Sequence, residues 1–196
     1  MMKKFFPVLQ YINVPNSITT LGMIFGIVAC YYLIEGNLQA ALVCLFFSSL
    51  MDLFDGFFAY KLKQQTQFGQ YVDSLVDFFI CCIIPVWLVY SFIGSYIALI
   101  SALAFYCICG LWRLAYYNVS ETDNYFIGLP VPGAMLTVCI SVWSVVHYGL
   151  PNWIIGVVLF ITGLLMVSFI RLHKYGLWQK VLCVVGLFFL AIVVTA

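Results

Sequence analysis

Residues 52 to 77 read DLFDGFFAYKLKQQTQFGQYVDSLVD, and four of the chain's seven acidic side chains, Asp52, Asp55, Asp73 and Asp77, fall inside this one window. Only 8% of all residues are charged, and apolar sequence flanks the window on both sides. The window therefore reads as the end of one membrane helix, a short polar turn and the start of the next. A helix turns about 100° per residue, which puts Asp52, Asp55, Gly56 and Ala59 on one stripe and Gly69, Asp73 and Asp77 on a second. If the stripes face each other, four carboxylates converge with little bulk between them. A carboxylate at membrane depth costs about a few kcal/mol or more, and four that repel one another cost more still. Positive charge has to balance them, and the nearby Lys61 and Lys63 are read as reaching outward to the interface. An all-oxygen cluster suits hard divalent ions, Mg2+, Mn2+ or Ca2+, and two ions would balance the four charges; zinc would call for His or Cys on the stripes. On these residues alone a cation-transport site and a structural ion pair stay open as alternatives.

The rest of the chain is the setting for that window. Its 196 residues are 65% hydrophobic with a mean hydropathy of +1.12, the composition of an integral membrane protein. We expect an all-α, polytopic helical bundle of about seven transmembrane helices (six to eight), forming a single membrane domain over 1–196 with an interfacial entry segment over 1–16. A net charge of +1 says nothing about nucleic acid, no basic tract suggests it, and no nucleic-acid partner is expected. The eight cysteines lack metal-ligand spacing or a disulfide framework and read as small buried hydrophobes. Pro15 and Asn16 are expected to cap a first helix over roughly 17–35. Further apolar segments follow at about 38–62, 67–92, 95–117, 131–148, 152–170 and 179–196, punctuated by glycine- and proline-containing turns. With the N-terminus inside, all eight Lys and Arg residues fall at cytoplasmic ends and the other side holds Glu35, so the Asp window should open to the cytoplasm. Gly22, Gly26 and Ala29 suit close helix packing, with Gly156 and Gly163 as further candidates. Tyr90, Tyr96, Trp143, Tyr148, Trp153 and Trp178 read as interfacial belts, and His147 has no assigned chemistry.

The pattern Asp-x-x-Asp-Gly-x-x-Ala followed by Gly-x-x-x-Asp-x-x-x-Asp resembles the signature of the CDP-alcohol phosphotransferases, membrane enzymes that move a phosphatidyl or related group from a CDP-linked donor to an alcohol. Tyr60 departs from it, because the family usually has Arg directly after the Ala. Asn16 and Thr19 resemble the family's P-N-x-x-T opening near the nucleotide. Three later stretches, GLWRLAYYNV, YFIGLPVPGA and LLMVSFIR, look like the phosphatidylserine synthase branch, so the resemblance covers about 160 residues, Asn16 to Arg171. Tyr116 stands where that branch often has Arg, and the run after Asp77 lacks the usual Ser-Phe-Gly.

The resemblance implies Asp52, Asp55 and Asp73 as main metal ligands, with Asp77 as general base that also touches the second of two ions, Mg2+ or Mn2+. It places Asn16, Thr19, Gly56, Ala59, Lys61 and Gly69 at the CDP-diacylglycerol donor, the glycines and the alanine leaving room for the nucleotide. Arg113 is read either as a snorkelling anchor or as a clamp for phosphate or carboxylate. Asn118, placed in the loop, is either an acceptor contact or a helix C-cap. Arg171, with His173 and Lys174, meets anionic lipid headgroups or donor phosphates. The expected reaction transfers phosphatidyl to L-serine and releases CMP. Few basic residues are left for a phosphate-bearing acceptor, which favours serine over glycerol phosphate or inositol phosphate. A homodimer in the cell (inner) membrane, among membrane lipids, is the expected assembly.

Overall fold

The computed structural model describes residues 7–94, 96–120, 125–173 and 177–195, with the backbone alone at 7, 126, 172, 173 and 177–180. A short 3-10 turn, Pro7–Tyr11, leads into seven helices: α1 (Val14–Ile34), α2 (Leu38–Lys61), α3 (Gln67–Ile93), α4 (Ile97–Val119), α5 (Val131–Tyr148), α6 (Trp153–Met166) and α7 (Leu177–Thr195). The first five are long and apolar enough to cross a membrane, and α6 and α7 are shorter apolar helices. The chain is thus a polytopic helical membrane protein. Lys3, Lys4 and Lys174 lie outside the described residues.

Small residues decide how closely the helices approach. Ser48 of α2 donates its hydroxyl to the Gly22 carbonyl of α1 at 2.8 Å, and a Cβ on Gly22 would lie 3.2 Å from Met51 Cβ. One turn on, a Cβ on Gly26 would lie 3.0 Å from Ile80 of α3, while Ala29 is fully buried. Gly163 of α6 similarly seats Phe105 of α4, whose ring stacks on Phe160 at 4.8 Å. Gly156 has no such neighbour, the nearest atom being the Tyr96 hydroxyl at 4.0 Å. At the far end of α2, Gln39 donates to the Val193 carbonyl at 2.6 Å and holds α7 against the bundle.

Several expected features are corrected. The first helix starts at Val14, and its cap is Asn13, whose side chain accepts the Asn16 amide at 2.9 Å; Asn16 lies inside the first turn. The segment expected to reach 170 stops as a helix at Met166, because the Leu129 amide bonds the Leu165 carbonyl at 2.9 Å and the loop at Gly128 presses onto the Met166 carbonyl. Gly128 has φ +77, a backbone region that a residue with a Cβ rarely adopts. On either side of this contact the chain forms a two-stranded antiparallel ribbon, β1 (Tyr125–Ile127) with β2 (Arg171–His173), pairing Tyr125 with His173 and Ile127 with Arg171. Trp143 is buried and stacks on His147 at 5.2 Å, so it is no belt residue, whereas Tyr90, Tyr96, Tyr148 and Trp153 are exposed as a belt requires. The side chain of Trp178 lies outside the described residues. All eight cysteines are free.

Gly26→Leu should overpack the α1–α3 contact and destabilise the protein by about 1–3 kcal/mol. A lowered thermal unfolding midpoint in detergent checks it, with Gly156→Leu close to wild type as the control.

Candidate active site

The α2–α3 hairpin brings the two acidic stripes together. α2 ends at Lys61, residues 62–66 turn the chain, and Thr66 caps α3 by accepting the Gly69 amide at 3.1 Å. Asp52, Asp55 and Asp73 each present a carboxylate oxygen, and these oxygens all lie within 4.8 Å of one another. Asp52 is in addition within hydrogen-bonding reach of Asp73 and Asp77. All four line one pocket between α1, α2 and α3, which Pro132 of α5 also borders. Carboxylates this close cannot all stay ionised without a countercharge. The donor set is all oxygen and converges on one point, so it fits a hard divalent cation and offers nothing to a thiophilic one.

α1 supplies the third wall. Thr19 is buried, and its hydroxyl donates to Asp55 at 2.5 Å, orienting the carboxylate of a residue that is itself buried. Threonine expected at the donor is thus bound directly to a member of the Asp cluster. Asn16 donates its side-chain amide to the Tyr11 carbonyl at 2.8 Å, and Tyr11 stacks on Phe68 at 4.2 Å. A Cβ on Gly69 would lie 2.7 Å from Asn16 Oδ1, so the space at this glycine is filled by Asn16. Gly56 differs: nothing stands within 4 Å of where its Cβ would be, and open space flanks the acidic stripe there. Ala59 is half-buried one turn on, and Lys61 is exposed with its ammonium 5.7 Å from the Phe57 ring centre.

Arg113 reaches the cluster from α4. It is 8% exposed, which rules out a snorkelling anchor, and it is close enough to Asp77 and Asp52 to interact with both charges. Its guanidinium carbon lies 6.0 Å from the Tyr117 ring centre, and its Nε has no hydrogen-bond partner. A buried guanidinium with an unused donor is suited to an incoming anion. Asn118 belongs to α4 rather than to a loop, and it is not a C-cap: its amide donates to Ser74 Oγ at 2.9 Å, joining α4 to α3 beside Asp73. Arg171 is exposed on β2 and does not border the pocket. Ser49 was missed from sequence. It borders the pocket one turn before Asp52, and its buried hydroxyl has no partner. Serine in a membrane helix is common enough that only its spacing from Asp52 could have flagged it.

A family model for CDP-alcohol phosphatidyltransferases matches residues 12–169, and the chain belongs to that family. It is a membrane transferase of phospholipid biosynthesis. The chain is 33% identical over 171 residues to a CDP-diacylglycerol–serine O-phosphatidyltransferase of Methanocaldococcus jannaschii, covering 87% of this chain and 78% of that one. It is also 33% identical over 125 residues to the enzyme of that name from Bacillus subtilis, covering 62% and 70% of the two chains. A phosphatidylcholine synthase of Pseudomonas aeruginosa is 26% identical over 178 residues, covering 84% and 69%.

Thr19→Val keeps the shape of the side chain and removes the donor to Asp55. Losing such an orienting contact should raise the Mn2+ concentration for half-maximal activity about 10–100-fold, with the thermal midpoint little changed. A Mn2+ titration of CMP release by wild type and variant measures it.

Proposed function

We propose that this enzyme transfers the phosphatidyl group of CDP-diacylglycerol to the hydroxyl of L-serine and releases CMP. The observation that carries the acceptor is Arg113: a buried guanidinium with a free Nε, beside the acidic pocket, matched in size and charge to one amino-acid carboxylate. The serine enzymes among the similar proteins support it. A phosphate-bearing acceptor would need more positive charge, and among the described residues Lys61, Lys63 and Arg171 are all exposed.

In this reading Asp52, Asp55 and Asp73 would hold divalent metal, Mg2+ or Mn2+, and Asp77 would also contact a second ion. Bound there, the metal would offset the carboxylates and draw charge from the donor's pyrophosphate. Asp77 accepts the proton of the serine hydroxyl as that oxygen forms its bond to the phosphatidyl phosphorus. The phosphorus–oxygen bond to CMP breaks, and CMP leaves with the bonding pair. Arg113 holds the serine carboxylate so that its hydroxyl points at the phosphorus, replacing a bimolecular encounter by a fixed geometry. The opening at Gly56 and Ala59 admits the nucleotide, and Thr19 keeps Asp55 turned inward. Asn16 acts on the donor side through its seat against Gly69. The basic residues set the orientation, with the pocket opening to the cytoplasm from the cell membrane.

Purified protein with Mn2+ or Mg2+ should release CMP from CDP-diacylglycerol when serine is present, and far less with glycerol 3-phosphate, inositol phosphate or no acceptor. Release that depends on another alcohol would move the acceptor; loss of metal-dependent CDP binding would return a cation carrier to the front. Asp77→Asn should lower kcat about 10²–10⁴-fold, the usual contribution of a positioned base. Chelation of divalent ions should abolish release, and added Mn2+ should restore it. Tyr60→Arg should stay active, since Tyr60 is 64% exposed.

A further inference from the structure

α3 contains an irregularity two residues beyond Asp77. Between Phe79 and Ile83 its turn widens, and the Ile84 amide bonds the Phe79 carbonyl five residues back instead of four. Pro85 accounts for it. Proline has no amide hydrogen, so residue 85 can donate neither to the Ile80 carbonyl, five residues back, nor to the Cys81 carbonyl, four back, and its pyrrolidine ring crowds the latter. In a membrane helix an orphaned carbonyl has no water to turn to and must be met by a neighbouring group.

Tyr106 of α4 meets it. Fully buried, it donates its hydroxyl to the Cys81 carbonyl at 2.8 Å, and the adjacent Cys107 thiol lies 3.6 Å from the Cys82 carbonyl. The fit of the widened turn is specific on both sides. A Cβ on Gly110 would collide with Cys82 Sγ, so α4 reaches the turn only because residue 110 is glycine. On α1, Gly26 receives Ile80 and Ile84 at 3.0 and 3.4 Å from its Cβ position. Ile80 and Cys81, inside the turn, border the same pocket as Asp77.

One residue inserted into a helix rotates everything before it by about 100° relative to everything after it. The buried anchor of α3 is Ile84, Leu88 and Val89, and the functional face is Asp73 and Asp77. The widened turn sits between them and sets the angle from which Asp77 enters the pocket. We propose that Tyr106 is a positioning residue for the transfer: by holding the Cys81 carbonyl it fixes the widened turn of α3, and with it the direction of Asp77. The proposal rests on the assignment of Asp77 as the base. Tyr106 does not line the pocket and acts through the α3 backbone.

The test uses the full-length protein in detergent and four variants, Tyr106→Phe, Pro85→Ala, the double variant and Asp77→Asn. Each is measured for kcat and KM of CMP release and for its thermal midpoint without substrate. Tyr106→Phe keeps the ring and should lower kcat about tenfold or more with KM for CDP-diacylglycerol within about twofold, the pattern of a misdirected reacting group. Pro85→Ala restores an amide to the Cys81 carbonyl and lets the turn close. It should lower kcat even with Tyr106 present. In the double variant the midpoint should recover relative to Tyr106→Phe while kcat stays low, a split that mere satisfaction of a buried carbonyl would not give. Wild-type kcat in Tyr106→Phe or Pro85→Ala, or recovery of kcat together with the midpoint in the double variant, overturns the proposal. Failure of the underlying base assignment shows itself separately, as full activity in Asp77→Asn.

Discussion

Four carboxylates gathered around one pocket inside a bundle of apolar helices are the constraint on which the rest of this molecule depends. Mutual repulsion and desolvation would drive them apart or neutralise them, so the bundle must hold them from several directions at once. α2 and α3 each contribute two, α1 fastens one through Thr19, and α4 brings Arg113 alongside. The arrangement makes structural sense as a site built to be completed by positive charge, and family membership gives that charge a chemical purpose.

The contacts that make convergence possible are almost all made by small side chains. Gly22 and Ser48 bring α1 and α2 to backbone contact directly beneath the acidic stripe, and Gly26 admits α3 at the next turn. Because lipid is as apolar as leucine, such close packing and interhelical hydrogen bonds take the place that water-driven burial has in a soluble core. The same economy appears at the ribbon, where backbone bonds from Gly128 and Leu129 to Ile170 and Leu165 close off α6. The polar side chains of the pocket are thereby held by neighbours that are themselves held by backbone.

What could be read early was local. The spacing of the four Asp residues defines two faces of two helices regardless of what surrounds them, and the apolar runs on either side mark the membrane. Helix α5 ran over 131–148 as expected because Pro132 and Gly149 punctuate it chemically. The reading missed where a feature depends on a distant partner. Asn16 was expected as the cap, but Asn13 takes that place, and Asn16 turns sideways to the Tyr11 carbonyl and against Gly69. Asn118 looked like a loop residue because nothing nearby in sequence announces Ser74 as its partner.

The sequence by itself determined the class of molecule and the place of its acidic cluster, because these follow from residue type, hydropathy and periodicity within a single segment, while the CDP-linked donor was implied by the family resemblance. Only the tertiary structure decided which cation stands beside the cluster, which hydroxyl orients Asp55, and how the turn at Pro85 is satisfied. Arg113, Thr19 and Tyr106 lie 36, 36 and 25 residues from the groups they serve, Asp77, Asp55 and Cys81. The physical reason is that a charge or an orphaned carbonyl specifies the need for a partner, while the packing of whole helices chooses which side chain meets it.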